Sequence, residues 1–354
     1  LVMHPYSNLP TEAFWRTAVA SKNPLNIEGL WKPKFKILPD QQVLTAGSCF
    51  AQHIGKALSA NGYNWHDGEI APDFIDAETK HKYNYGIFSF RTGNIYTTSL
   101  LLQWLEWAVD PSKAPKECWK DANGRYYDPF RPNIEPNGFT SEEELIAARN
   151  ATFTAIRKSL KTAKFFVFTL GLTEAWKNTE EGYFYPLCPG TLQGSFDKSK
   201  HVFVNLKYPE IHSSLVKAIE LVKSINDDIK FILTVSPVPL TATAAEKHVL
   251  VSTTYSKSTL RAVAGDLADE RDDVDYFPSY EIITGTPYKG MFYEPNQRSV
   301  ANRGVAHVME HFFADFDVPN APKEHAQAET QTIQNDEDDI VCEEELLDAF
   351  SEKK

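Results

Sequence analysis

The sequence predicts an α/β protein built on a mostly parallel sheet covered by helices on both faces. Three observations carry this. Short apolar runs alternate along the chain with segments of helical period. Two of these runs, KFFVFTL at 164–170 and KFILTVS at 230–236, are continuously apolar, as strands buried on both faces must be. The strand ends carry Gly47-Ser48, Gly171 with Thr173 and Glu174, and Ser236. Polar groups therefore gather at one edge of the sheet, where open α/β sheets bind their ligands.

Taken in order, residues 1–40 carry prolines and aromatics without a period. They read as an arm packed on the main domain through Trp15, Trp31 and Phe35, with one short helix near 11–20. Val43, Leu44 and Thr45 favour a strand over 42–46, and a helical pattern over 49–60 starts directly after Gly47-Ser48. A short strand at 63–66 and a long loop over 67–95 follow, and loops of this length often carry function. Leu101, Leu102, Leu105 and Ala108 share one face of a helix over 99–109. Residues 110–137, rich in Pro, Gly and aromatics, form an insertion. Thr140 and Ser141 cap a long helix to 161. After the strand at 164–170 and a second irregular insertion come a helix over 210–226 and the strand at 230–236, stopped by Pro237 and Pro239. A helix over 245–270, a strand at 274–277 and a helix over 302–316 close a domain spanning 41–316.

The bulk composition, 42% hydrophobic and 24% charged over 354 residues, is that of a globular chain. A net charge of −12 excludes nonspecific nucleic-acid binding, which needs a basic footprint. From Val318 to Lys354, 11 acidic residues face three Lys, so this stretch carries −8 and the body only −4. Residues 317–354 thus read as an acidic, flexible tail, disordered to about 339. Its end, IVCEEELLDAF at 340–350, has the spacing of a short amphipathic helix that could dock on a partner protein or on its own body. The four cysteines (49, 118, 188, 342) form no CxxC pair and no histidine cluster has zinc spacing. Reduced thiols in the cytoplasm, with neither metal nor cofactor, are the expectation. No leader pattern opens the chain, and no run approaches the ~20 apolar residues of a membrane span.

Ser48 stands where a strand meets a helix. There, backbone N–H groups and the positive helix end lower the cost of charge on oxygen. It is equally a helix cap on position alone. In the long loop, Gly86 and Gly93 offer backbone N–H groups and Asn94 an amide to a developing oxyanion, or else they make turns. Arg91 is an anion clamp or a stacking partner. Thr173 and Glu174 supply a donor and a carboxylate, or else begin a helix. Among the ten histidines, His248 ranks first as base because it follows the third strand end. His53 points away from the cleft, and His307 with His311 lacks a metalloprotease pattern.

Together, Gly-Ser-Cys-Phe-Ala at 47–51, GNIYT at 93–97, SPVP at 236–239, TTYSKSTLR at 253–261 and GVAHVMEHFF at 304–313 resemble the GSCFA family, a branch of the SGNH-like hydrolases. The likeness covers about residues 40–315. It implies a three-layer α/β/α sandwich of SGNH/flavodoxin-like type, with Ser48 as nucleophile. It also implies an oxyanion hole from a second-block glycine (Gly86, with Gly93 its rival) and from Thr173 at the position of a donor Asn. The chain departs from the pattern where a late Asp-x-x-His is expected: the matching pair is Asn296 and Ser299. The resemblance implies a serine esterase or O-acyltransferase acting on an acylated saccharide or similar polar substrate. The alternative is an impaired binding or scaffold protein that keeps the fold without the dyad. Cys49 is a second candidate nucleophile, disfavoured because its side chain should point into the sheet core.

Overall fold

The computed structural model describes residues 4–319 and 340–353. The strand Val43–Gly47 (β1) is buried throughout and passes in three residues into the helix Ala51–Ala60 (α1). Gly47 has φ +133°, and a Cβ there would lie 2.3 Å from the carbonyl oxygen of Thr169. Only glycine lets the two strands come this close at their ends. The loop after α1 contains one short helix, Ala77–Lys82 (α2), and leads to Thr98–Val109 (α3). The first insertion holds a minimal hairpin, Trp119–Lys120 (β2) with Tyr126–Tyr127 (β3). The helix Glu142–Thr162 (α4) follows, its start capped by the Ser141 hydroxyl accepting from Glu144 N–H at 3.1 Å.

The strand Phe165–Leu170 (β4) is the sequence's first continuous apolar run. Residues read as irregular then form a second sheet from Glu174–Asn178 (β5), Phe184–Tyr185 (β6) and His201–Asn205 (β7), antiparallel in the order β6-β5-β7. Thr173 and Glu174 therefore enter a strand and begin no helix. The helix Tyr208–Ile225 (α5), strand Lys230–Val235 (β8), helix Val249–Glu270 (α6), strand Val274–Phe277 (β9), short helix Ser279–Thr284 (α7) and helix Asn302–Phe313 (α8) complete the body.

The main sheet runs β1-β4-β8-β9, every pair parallel. On the free edge of β1 the expected strand at 63–66 shrinks to one parallel bridge between Val43 and Trp65. The chain therefore steps outward on one side of β1 and then returns to build the other. This switch point lies between β1 and β4, at the carboxyl ends of the strands, where such sheets leave a crevice.

Alternate strand residues face opposite layers. Leu44, Phe166, Phe168, Phe231 and Leu233 pack under α3, α4, α5 and α6, whereas Val43, Phe165, Val167 and Ile232 pack under α1, α7 and α8. The result is a three-layer α/β/α sandwich. The N-terminal arm joins the second layer through Trp31, stacked on Phe312 at 5.3 Å, and Phe35 lies near Phe165. Trp15 does not: it is 67% exposed, and the helix expected near 11–20 is a 3₁₀ turn followed by a π turn. The hairpin insertion is clamped to α4 by a buried cluster in which Asp128 pairs with Arg131 and Arg149, each at 2.9 Å. Burial alone would push Asp128 upward; the two guanidiniums more than offset this and hold it below the usual carboxylate range.

The stretch read as disordered, to about residue 339, lies outside the described residues. Past it, 340–353 lies on the body as an extended lead and a 3₁₀ helix, Glu343–Lys353. Among the described residues, no helix is long and apolar enough to cross a membrane.

Candidate active site

Ser48 follows β1 at the switch point and is 3% exposed. Its N–H donates to Thr169 O at 3.1 Å, which ties the turn to the end of β4. Its hydroxyl has no hydrogen-bond partner among the described residues. A cap would place that oxygen on a first-turn N–H, and the structure shows no such bond. The N–H groups of Cys49 and Phe50, at the entry to α1, likewise find no acceptor among the described residues. A buried hydroxyl and free N–H groups therefore share one helix entrance, which is an electropositive place for an oxygen to gain charge.

Gly171 forms the opposite wall. A Cβ there would sit 2.9 Å from Ser48 Cβ and 3.1 Å from Tyr96 O, so its missing side chain is the space that Ser48 occupies. The segment Gly93–Tyr96 is fastened to both strand ends. Ile95 N–H donates to Gly47 O at 2.8 Å, and Tyr96 O accepts from Leu172 N–H at 2.8 Å. This brings the Asn94 amide and the Tyr96 phenol to the cleft. Gly93 thus stands at the site, as one of the two expected glycines. Gly86 does not: it is an exposed turn glycine at φ +70° with open space around it. Arg91 is spent on structure, stacked 4.0 Å over Tyr85 and donating to Tyr83 O.

On the third side, α6 turns Ser256 and Lys257 inward. Thr173 N–H donates to Ser256 Oγ at 2.9 Å, and the Thr173 hydroxyl donates to Asn205 Oδ1 at 2.7 Å. Thr173 is therefore an internal tie, with its proton engaged, and not a free oxyanion donor. Lys257 is only 1% exposed, and its Nζ donates to Gly171 O at 2.7 Å. Burial lowers its ammonium to about 8, against the opposing field of Glu344. A buried amine bonded to the wall that faces Ser48, and held by burial below the usual lysine value, can release and take up a proton close to neutral pH. The segment TTYSKSTLR contained this residue, but a lysine in a helical pattern reads as solvent-facing.

His248, the expected base, is elsewhere. It is the exposed N-cap of α6, its Nδ1 accepting from Leu250 N–H at 3.2 Å. His53 is pushed down to about 4 by burial and, secondarily, by Lys56; it packs against Phe50. His307 faces His311 at 3.4 Å and stacks on Phe292. Among the described residues no cluster could hold a metal ion. Asn296 and Ser299 bond each other at 2.9 Å in an exposed turn. Between them Arg298 reaches the cleft, donating to Pro239 O at 3.1 Å. Sequence reasoning missed Arg298, although it lies inside the departing segment.

The C-terminal segment covers this site. Val341 exchanges hydrogen bonds with the Gln52 side chain and accepts from Asn94 Nδ2 at 3.0 Å. Glu343 accepts from Asn94 Nδ2 and, at 3.1 Å, from the Tyr96 hydroxyl. Glu344 accepts from Thr241 N–H at 2.7 Å and pairs with Arg298 at 3.4 Å. Cys49 does not enter the sheet core; it lines a cavity with Phe50, Val238 and Ile340, and the influence of Cys342, followed by burial, holds its thiol well above the usual range. A thiol so held is a poor nucleophile. Glu174 lies one step away, accepting from the Thr243 hydroxyl at 2.6 Å, with burial raising its carboxyl. It borders a cavity of about 300 Å³ walled mainly by apolar side chains, Trp176, Leu187, Phe203 and Leu240 among them, and covered by Leu347 and Phe350.

A family model described as the GSCFA family matches residues 42–312. No curated protein matches the chain.

Proposed function

The chain belongs to the GSCFA family, and on that premise we propose that it is a serine-dependent acyl-transfer enzyme of SGNH-like type, an ester hydrolase or an O-acyltransferase. The observation that carries this is the Ser48 hydroxyl, buried and without a partner at the sheet's switch point, between free helix N–H groups and the wall formed by Gly171. Ser48 Oγ attacks the acyl carbon while its proton passes to neutral Lys257 Nζ. Burial favours the neutral amine, and departure of Glu344, whose field favours the charged form, favours it further. The N–H groups of Cys49 and Phe50, with the Asn94 amide, receive the oxyanion. The alkoxide leaves with the proton from Lys257, giving acyl-Ser48. Water or an acceptor hydroxyl then attacks and gives its proton to the same amine, which passes it to Ser48 Oγ as the acyl–oxygen bond breaks and the serine is restored.

Lys257 replaces His248 in this reading because it abuts the residue against which Ser48 packs. The apolar cavity beside Glu174 suits the acyl group. An acylated saccharide or similar polar ester remains the proposed substrate on family likeness alone. A second reading, a binding protein on the same fold, is favoured by one observation: Asn296 and Ser299 pair with each other and leave no late dyad. Fluorophosphonate labelling and p-nitrophenyl acetate turnover, over about pH 6–9, separate the two. The comparison needs the unmodified chain, Ser48→Ala, and the chain with Glu343→Gln and Glu344→Gln. Ser48-dependent labelling supports the enzyme; none in either serine-containing form supports the binding protein.

A further inference from the structure

Two adjacent glutamates, Glu343 and Glu344, are each only 5% exposed. Neighbouring carboxylates resist joint burial, and burial raises both of these. They are tolerated because the body meets them with donors from segments far apart in the chain. Asn94 and Tyr96 come from the loop before α3, Thr241 N–H from the segment after β8, and Arg298 from the loop before α8. Lys257 of α6 adds its charge from below. The body holds part of this set by itself: Lys257 donates to Gly171 O, Arg298 Nε to Pro239 O, and the backbone of Ile95 and Tyr96 is bonded to both strand ends. With the segment gone, the Asn94 amide, the Tyr96 hydroxyl, Thr241 N–H and the Arg298 Nη2 would lose the carboxylates they meet, which leaves a converging set of donors of the kind that binds anions.

The occupant's own fold depends on the body. Its 3₁₀ helix runs 11 residues, Glu343–Lys353, well beyond the few residues such a helix sustains by itself. Its hold on the body therefore comes from docking: the two carboxylates, Val341, and Leu347 and Phe350 over the apolar cavity.

We propose that the cleft beside Ser48 is a recognition site for a carboxylate-bearing ligand, and that Glu343 and Glu344 are its tethered occupant, which shuts the site until an external carboxylate displaces them. The inference rests on the proposed reaction only in that the ligand would then be the substrate or its acceptor; the binding site stands without catalysis. A tethered competitor acts at about millimolar effective concentration, so an external ligand must match several of its contacts.

The test uses full-length protein and binding alone. The probe is a fluorescein-labelled peptide IVSEEELLDAFS, residues 340–351 with Ser at position 342, and glutarate serves as small-molecule competitor. The peptide should bind the Glu343→Gln/Glu344→Gln chain at least about tenfold more tightly than the unmodified chain, whose own segment competes. Adding Arg298→Gln should cost about tenfold again, the usual worth of a hydrogen bond to a charged group. Displacement by glutarate assigns the site to small carboxylates; peptide binding resistant to glutarate assigns it to acidic peptides. Should Arg298→Gln fail to fold, amide exchange in the unmodified chain decides: saturating peptide should speed exchange across 340–350. Equal peptide affinity in both chains, no binding at all, or exchange unchanged by peptide overturns the proposal. Labelling at Ser48 can fail while this binding succeeds, and the reverse, so the two readings fall separately.

Discussion

Replacing Lys257 with Met separates a catalytic amine from a structural one. Lys257 is fully enclosed, and burial brings it from 10.5 to about 8. That difference corresponds to about 3 kcal/mol held against the charged form. Below about pH 8 both folded and unfolded chains carry the proton, and the fold bears the whole penalty. Between about 8 and 10.5 the unfolded chain binds more protons, so stability rises with pH through this window, and above it the penalty is gone. Methionine removes the penalty at every pH. It also leaves Gly171 O without its donor, a loss of about 1–3 kcal/mol. At pH 7 the variant should therefore be as stable as the unmodified chain or up to about 2 kcal/mol more stable. Urea unfolding near pH 7 and pH 10 measures this. Between the two, the unmodified chain should gain stability relative to the variant, in which the raised thiols and phenols act alike. Ser48-dependent turnover should meanwhile rise with pH through about 8 in the unmodified chain and fall about 10²–10⁴-fold in the variant. A variant that unfolds more easily at pH 7 yet keeps its turnover would refute Lys257 as the base.

Three further outcomes follow from named contacts. Diamide, which accepts two electrons and two protons from a pair of thiols, should join Cys49 to Cys342 as a disulfide found by peptide mapping, because Cys342 is the neighbour that acts most strongly on the Cys49 thiol. Recovery of only other pairings would mean that 340–350 lies elsewhere in solution. Gly171→Ala puts a methyl 2.9 Å from Ser48 Cβ and 3.1 Å from Tyr96 O, so it should cost about 1–3 kcal/mol and abolish fluorophosphonate labelling; normal labelling would show that Ser48 does not depend on this wall. Asp128→Asn leaves Arg131 and Arg149 buried without their carboxylate and should cost about 3–5 kcal/mol in urea unfolding. The same cluster sets an acid limit. Because Asp128 is held low, its contribution is complete above the unfolded carboxylate value and disappears as pH falls through the lower, folded one.

The parallel core was legible because burial on both faces leaves a plain mark: 164–170 and 230–236 are apolar at nearly every position, and both are strands in the central pair. Ser48 was legible because a Gly-Ser strand end before a helix is local. The second sheet was not, since β6 has two residues and β5, EAWKN, mixes polar and aromatic side chains without clean alternation. Choosing between Gly86 and Gly93 needed contacts across the fold: both have positive φ, and only the segment after Gly93 is fastened to Gly47 and Gly171. Lys257 and Arg298 were hidden for a related reason. Solvation makes an exposed lysine or arginine the default, and only distant residues arriving above them reverse it. The end of the chain showed the spacing of a segment able to dock on its own body but not where it docks: Glu343 and Glu344 find their donors more than a hundred residues upstream in Asn94, Tyr96 and Thr241.

The occupant and the cleft it fills are parts of one molecule, so their ratio is one at any level of expression. Dilution cannot strip the occupant away, and overproduction cannot titrate it out. A cell could set this balance only by the amount of competing carboxylate, or by chemistry on the few residues around Glu343. The fraction open would then report the concentration of ligand and be blind to the abundance of the protein itself.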